Sequence, residues 1–219
     1  MTRVSILGCG WVGNALNDVL NKHYQVHCLS RDIELNTKNG LYECDILVIA
    51  IPPRDNYLEV LHQTLVKIEA STQIIHLSSI SFYSGKSLVI EAESLVKKLY
   101  QGSVILRLGG LMGYDRIAGK YTAGKTLDVN SRTNYIHRDD VVGIIECVIR
   151  QNIHNEVFDV VAPQQATKEE IFSQNARRFG FKKTKFLSMD GESQTFSQRK
   201  IYEVLNYCFL KEDVLTFWV

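Results

Sequence analysis

Hydrophobic positions along this chain follow two patterns: short continuous runs, and longer stretches in which an apolar residue returns every three or four places. Val4-Ser5-Ile6-Leu7 belongs to the first kind, and after Gly8-Cys9-Gly10 the second begins with Trp11, Val12, Leu16, Val19 and Leu20. Together they predict a buried strand, a tight turn and an amphipathic helix. Tyr24-Gln25-Val26-His27-Cys28-Leu29-Ser30 alternates as a strand does and ends at Arg31-Asp32. The stretch 33–43 is short and polar for a full crossover helix plus strand, so the fold reads as abbreviated there. Cys44-Asp45-Ile46-Leu47-Val48-Ile49-Ala50-Ile51 suits a parallel strand buried on both faces, and Pro52-Pro53 stops it.

Further along, 54–69 places Tyr57, Leu61, Leu65 and Ile68 on one helical face, and Ile74-Ile75-His76-Leu77 is the next strand. Val142, Ile145, Val148 and Ile149 mark another helix, and Val157-Phe158-Asp159-Val160-Val161 a last sheet strand. Thr167-Lys168-Glu169-Glu170 is a capping-box start for a helix to Phe179, and Arg199-Lys200-Ile201 heads a short helix near Leu205. Strands alternating with helices, without repeats or low-complexity linkers, predict a doubly wound parallel α/β sheet of the Rossmann type. The chain reads as one domain over 1–219, with a small cap formed by about 112–132 and 163–219. The apolar Phe217-Trp218-Val219 predicts docking on the body of the chain or on a second subunit, the latter giving a homodimer.

Gly8-x-Gly10-x-x-Gly13 stands between a strand and a helix, the context in which that spacing carries chemistry. Gly8 permits the tight turn, Gly10 leaves room for a pyrophosphate against the backbone, and Gly13 lets the helix lie close to the sheet. Trp11 and Val12 open the helix, whose first N–H groups and positive dipole end suit phosphates. Ser30 and Arg31 end the second strand, where a Rossmann unit meets the adenine ribose. An arginine there pairs with the 2′-phosphate of NADP, whereas an acidic residue favours NAD. NADP is therefore expected, with NAD left open because Asp32 is one position further on. Ala50, Ile51 and Pro52 form a stiff floor at the end of their strand.

Composition narrows the partners. With 25 Lys+Arg against 24 Asp+Glu the formal charge is +1, which gives no polyanion-binding surface, so nucleic acid and membrane are not expected and a small-molecule substrate is. Five scattered cysteines with no C-x-x-C pair read as buried thiols in a reducing, cytoplasmic compartment. No leader-like or membrane-length apolar segment is read from the sequence, and no metal pattern is found. His137, Asp139 and Asp140 are expected to cap and pin the helix that follows, His76 to be a core histidine, and Arg116 and Lys120 to lie on a solvated loop.

Ser78-Ser79-Ile80-Ser81-Phe82-Tyr83 after a strand, Arg107-Leu108-Gly109-Gly110-Leu111-Met112-Gly113, and Asn134-Tyr135-Ile136-His137-Arg138-Asp139-Asp140-Val141 together resemble the extended short-chain dehydrogenase/reductases, which include NAD(P)-dependent epimerases and dehydratases. The resemblance covers most of the chain. It implies that Ser79, four residues before Tyr83, binds substrate and assists catalysis. Two departures stand out. Leu7 occupies the place of the family's first loop glycine, and the Tyr-x-x-x-Lys pair is missing. When Glu93 is aligned with the glutamate that follows that lysine, Gly85 and Val89 fall at the two positions. A tyrosine moves a proton near neutrality only when a cation favours its phenolate. Tyr83-Ser84-Gly85-Lys86 offers a Tyr-x-x-Lys in what reads as a loop: either a substitute acid-base pair, with Ser79 as partner and Lys86 as cation, or a packed tyrosine and an exposed lysine. The expected function is an NADP-dependent oxidoreductase or epimerase-like enzyme acting on a small hydroxylated or carbonyl compound. The alternative is a non-catalytic dinucleotide-binding sensor or interaction protein. A hydroxyacid or prephenate dehydrogenase reading fits 8–53 but not 134–141.

Overall fold

The computed structural model describes residues 1–29, 42–54 and 56–218. Among them the elements run β1 (Arg3–Leu7), α1 (Trp11–Leu20), β2 (Gln25–Leu29), β3 (Ile46–Ile49), α2 (Tyr57–Leu65), β4 (Gln73–Ser79), α3 (Ser87–Leu99) and β5 (Val104–Leu108). They continue with β6 (Gly110–Met112), β7 (Thr126–Ser131), β8 (Tyr135–His137), α4 (Arg138–Arg150), β9 (Glu156–Val160), α5 (Lys168–Phe179), β10 (Lys185–Gly191) and α6 (Arg199–Leu205). Six strands form one sheet in the order β2-β1-β3-β4-β5-β9, and the pairs β1–β2, β1–β3, β3–β4 and β4–β5 are parallel. This is the doubly wound, Rossmann-like α/β arrangement that the alternating pattern predicts. The abbreviated stretch, with Ser30 and Arg31, lies mostly or wholly outside the described residues.

The chain divides into two compact units, Met1–Leu108 with Val142–Phe158, and Gly109–Val141 with Asp159–Val219. In the first, every residue of β3 and β5 is buried, as strands covered on both faces must be. The helices bury the faces read from their periodicity: Val12, Leu16 and Leu20 on α1, Tyr57, Leu61 and Leu65 on α2, Val89, Ala92 and Val96 on α3. Each buried valine or leucine among them contributes about 1.5–3 kcal/mol by leaving water. Helix α2 is shorter than the expected 54–69. Its N-cap Asn56 sits at φ 64, and at the far end Lys67 and Ile68 donate to Thr64 and Leu65, tightening the chain into a turn.

The second unit carries two small sheets, β6 with β8 and β7 with β10, both parallel, which the hydrophobic pattern does not announce. Helix α5 opens on the predicted capping box between Thr167 and Glu170 and ends at Gly180, φ +72. Phe217 is buried against the His137 ring, and Trp218 Nε1 donates to the Arg116 carbonyl at 3.2 Å. These two residues thus dock on their own unit, the same one that contains 112–132 and 163–219. Among the described residues no helix is long and apolar enough to cross a membrane, and no group of three or more His, Cys, Asp and Glu is placed to hold a metal ion.

Candidate functional site

Because β1, β3 and β4 are parallel neighbours, Leu7, Ile49 and Ser79 end on one edge of the sheet: Leu7 and Ile49 stand level, and Ser79 lies three residues beyond His76, the partner of Ile49. The loops leaving that edge hold the glycine turn, the Ala50-Ile51-Pro52 floor and the Ser79-to-Tyr83 segment. At the turn, the N–H groups of Gly8 and Cys9 both donate to Leu29 O, at 3.0 and 2.8 Å. Gly8 stands at φ +114, and a Cβ on it would lie 2.8 Å from Ala50 backbone atoms. A Cβ on Gly13 would lie 2.0 Å from Gly8 O, so α1 rests directly against the turn. Gly10 is different: a Cβ there would meet nothing within 4 Å. The protein's own backbone fills the space beside Gly8 and Gly13 and leaves the space at Gly10 open. The first turn of α1 carries no acidic residue to oppose a phosphate, and a helix cannot satisfy the N–H groups of its own first turn. These residues fit the pyrophosphate of a dinucleotide.

The cysteines require a correction. Cys9 and Cys28, read as thiols, are joined as a disulfide with their Cα atoms 5.6 Å apart. The register pairs Ile6 with Cys28, and the turn folds back onto Leu29 O, which brings Cys9 over the end of β2. A separation of 19 residues, with no motif, gives no sign of this in the sequence. Cys44 and Cys147 are buried thiols, and Cys208 is exposed.

Beyond β4, residues Ile80–Phe82 form one 3₁₀ turn. Its start is fixed by Ser79 Oγ, which accepts from Ser81 N at 3.2 Å and from Ser81 Oγ at 3.0 Å. Tyr83 follows, 41% exposed, and its phenol oxygen accepts a hydrogen bond from Arg107 Nη1 at 2.8 Å. Lys86 is the exposed N-cap residue of α3. On its other edge Arg107 grips Glu93, with Nη2 to Oε2 at 2.8 Å and Nε to Oε1 at 3.0 Å. Ser78 Oγ donates to the same carboxylate at 2.6 Å, and the Phe82 ring lies 3.5 Å from the guanidinium carbon. Burial works against the arginine's charge, but the hydrogen bonds and charge of Glu93 outweigh it and hold the guanidinium above its ordinary range. Sequence reasoning assigned Arg107, Glu93 and Ser78 no role. The available signal was an arginine inside the apolar run Val104-Ile105-Leu106-Arg107-Leu108, where a charge needs a buried partner.

His76 is the core histidine expected: 1% exposed, with Nε2 2.8 Å from the Tyr57 hydroxyl, and pushed down to about 4 by burial. In the second unit His137 Nδ1 accepts from Asp139 N at 3.2 Å, and the Tyr114 hydroxyl donates to Asp139 Oδ2 at 2.5 Å. Asp140, expected to cap its helix, holds a later segment of the chain instead. Fully buried, its carboxylate accepts from the N–H groups of Leu210 and Lys211 and from the Tyr207 hydroxyl, at 2.6 to 3.1 Å. Burial raises it above the usual carboxylate range, against the pull of those bonds.

No protein-family model matches the chain. It is similar to protein YeeZ of Escherichia coli K12, with 27% identity over an alignment 270 positions long that covers 98% of each chain. Among solved structures, a protein from Methylobacillus flagellatus assigned as an NAD-dependent epimerase/dehydratase superposes with a TM-score of 0.77 at 20% identity, over 99% of this chain and 96% of that one. The human epimerase family protein SDR39U1, solved with NADPH, gives 0.74 at 15% identity over 98% and 97%. The chain therefore carries the Rossmann fold of the NAD-dependent epimerase/dehydratase-like proteins, the extended short-chain dehydrogenase/reductase architecture that its motifs resemble.

Proposed function

We propose that this chain binds a nicotinamide dinucleotide at the carboxyl edge of its sheet and works as an NADP-dependent oxidoreductase of the epimerase/dehydratase-like type, on a small hydroxylated or carbonyl compound. The observation that carries this reading is the open space at Gly10, beside a turn whose other two glycines are packed against backbone. Gly8, Gly10, Trp11, Val12 and Gly13 take the pyrophosphate, Ser30 and Arg31 the adenosine end, and Ala50, Ile51 and Pro52 the floor. The NADPH of SDR39U1 and the NAD of MoeE5 support a nicotinamide dinucleotide as cofactor, and Arg31 is the reason to choose NADP. When bound, the dinucleotide supplies hydride transfer at a carbon bearing oxygen. The chain's own task is the proton on that oxygen, given to Tyr83, with Ser79 holding the substrate and a neighbouring cation, Lys86 in the sequence reading, favouring the phenolate. NADPH oxidation is to be screened against small carbonyl compounds for wild type, Tyr83→Phe and Ser79→Ala. The tyrosine variant is expected to lose about 10²–10⁴ in rate, and activity surviving in both variants rejects the site. A second reading, a non-catalytic dinucleotide sensor, is favoured by one observation. Val89, at the family's lysine position, is 4% exposed and packs in the core, so this position supplies no cation. Tight NADPH binding with no turnover on any compound would establish that reading instead.

A further inference from the structure

We infer that Arg107, rather than Lys86, is the cation that governs the Tyr83 phenol, with Glu93 as the positioning residue that aims it. This rests on the reading of Tyr83 as the proton-transfer group. The guanidinium has donors only, so at 2.8 Å the phenol oxygen must accept, and the phenol's own hydrogen is directed away from Arg107. Two of the three guanidinium nitrogens are engaged by Glu93 from the opposite edge, which leaves Nη1 with a fixed direction toward Tyr83. The face of the guanidinium is covered by Phe82, and the carboxylate is itself held by Ser78. The fork therefore has little freedom to turn.

The placement also sets the sign of the effect. Arg107 is 8% and Glu93 2% exposed, so their charges act through a weakly screening interior, whereas the phenol reaches outward. The cation touches the phenol oxygen, and the anion lies beyond the full width of the guanidinium. With attraction and repulsion both falling as distance grows, the nearer cation prevails and the phenolate is favoured. Among the described residues, the charged groups arranged around Tyr83 include Arg107 from β5, Glu93 behind it on α3, and Lys86 at the exposed start of α3, where water and salt screen its charge. In the step assigned to it, the Tyr83 O–H bond breaks and the proton passes to the substrate oxygen. The electron pair stays on Tyr83 as phenolate, paired with Arg107, and solvent returns the proton.

The test needs no substrate. With tyrosine ring carbons labelled, the Tyr83 resonance is identified by its loss in Tyr83→Phe and followed against pH in the intact ligand-free protein. Relative to the charge-free double variant Arg107→Gln/Glu93→Gln, wild type should titrate about one pH unit lower, a tenfold gain in acid dissociation. Glu93→Gln alone should titrate lower still, and Lys86→Met should stay with wild type. Coincident midpoints for wild type and the double variant, or a Lys86→Met midpoint displaced as far as the double variant's, overturn the inference whatever the enzyme does. Should Glu93→Gln fail to fold, the double variant and Lys86→Met decide alone. If the titrations behave as stated and no carbonyl compound is reduced, the oxidoreductase reading falls while the Arg107 assignment stands.

Discussion

Replacing Gly13 by alanine and, separately, Gly10 by valine tests whether the glycine turn is divided between the protein's own packing and a ligand. At Gly13 the new Cβ falls 2.0 Å from Gly8 O, a backbone atom that cannot swing aside. Restoring an ordinary contact needs a withdrawal of about 1.4 Å, since 3.4 Å is where such contacts begin. That movement lifts Val12, Leu16 and Leu20 off the sheet, and a gap of 0.5–1 Å already forfeits a quarter to a half of the dispersion energy of the facing atoms. Overpacking of this kind costs roughly 3 kcal/mol, or about 1–1.5 M in the urea midpoint. At Gly10 the Cβ meets nothing. Valine at an N-cap costs about 1 kcal/mol relative to glycine, and the stiffer unfolded chain returns about 0.4–1. The Gly10→Val midpoint should therefore move by less than about 0.5 M. Its NADPH affinity should fall at least a hundredfold, about 2.7 kcal/mol, because its methyl groups occupy the pyrophosphate space. Urea denaturation followed by circular dichroism and NADPH titration by fluorescence read the two effects. A Gly13→Ala protein as stable as wild type, or a Gly10→Val protein that binds NADPH normally, refutes the division.

Arg31→Ala should weaken NADPH by roughly tenfold to a hundredfold, the loss of a charge-assisted bond of about 1.5–3 kcal/mol, and leave NADH nearly unchanged; equal losses in a titration would remove the NADP preference. His76, held near 4 in the folded chain against about 6.5 unfolded, contributes stability that is complete above pH 6.5 and is lost as pH falls through 4. By pH 4.5 the loss is about 2.5 kcal/mol. Tyr57→Phe/His76→Phe, which removes both partners of the buried bond, should lack that component of the pH dependence in urea denaturation, and an unchanged pH dependence contradicts the assignment. Glu93→Ala leaves Arg107 buried without its carboxylate and should cost about 3–5 kcal/mol, most of it recovered in Glu93→Leu/Arg107→Met; strictly additive effects in that cycle would deny the coupling.

The elements that were legible in the sequence are those whose signal is local. A strand, a glycine turn and a helix within twenty residues declare themselves through periodicity, as does the capping box at Thr167, because each depends on neighbours three or four places away. What escaped depends on residues far apart in the chain. Cys9 reaches Cys28 only through the register of β1 against β2, Arg107 reaches Tyr83 across 24 residues, and β7 meets β10 over a separation of about 60. Arg107 nonetheless left a trace, a charge in an apolar run, which calls for a partner without saying which one. Lys86, the expected cation, is a neighbour of Tyr83 in the sequence, whereas Arg107 comes to the phenol from β5.

Asp140 sets an order in time. Its buried carboxylate is satisfied by donors 67 to 71 residues later in the chain, at Tyr207, Leu210 and Lys211. While the chain is being made, those donors leave the ribosome well after Asp140 does, so an acid with no exposure in the folded unit stays in water until they follow. The unit containing Asp140 thus closes only after residues 1–108 and 142–158 have all been made. A chain that stops short of Tyr207 leaves that carboxylate without any of its three donors.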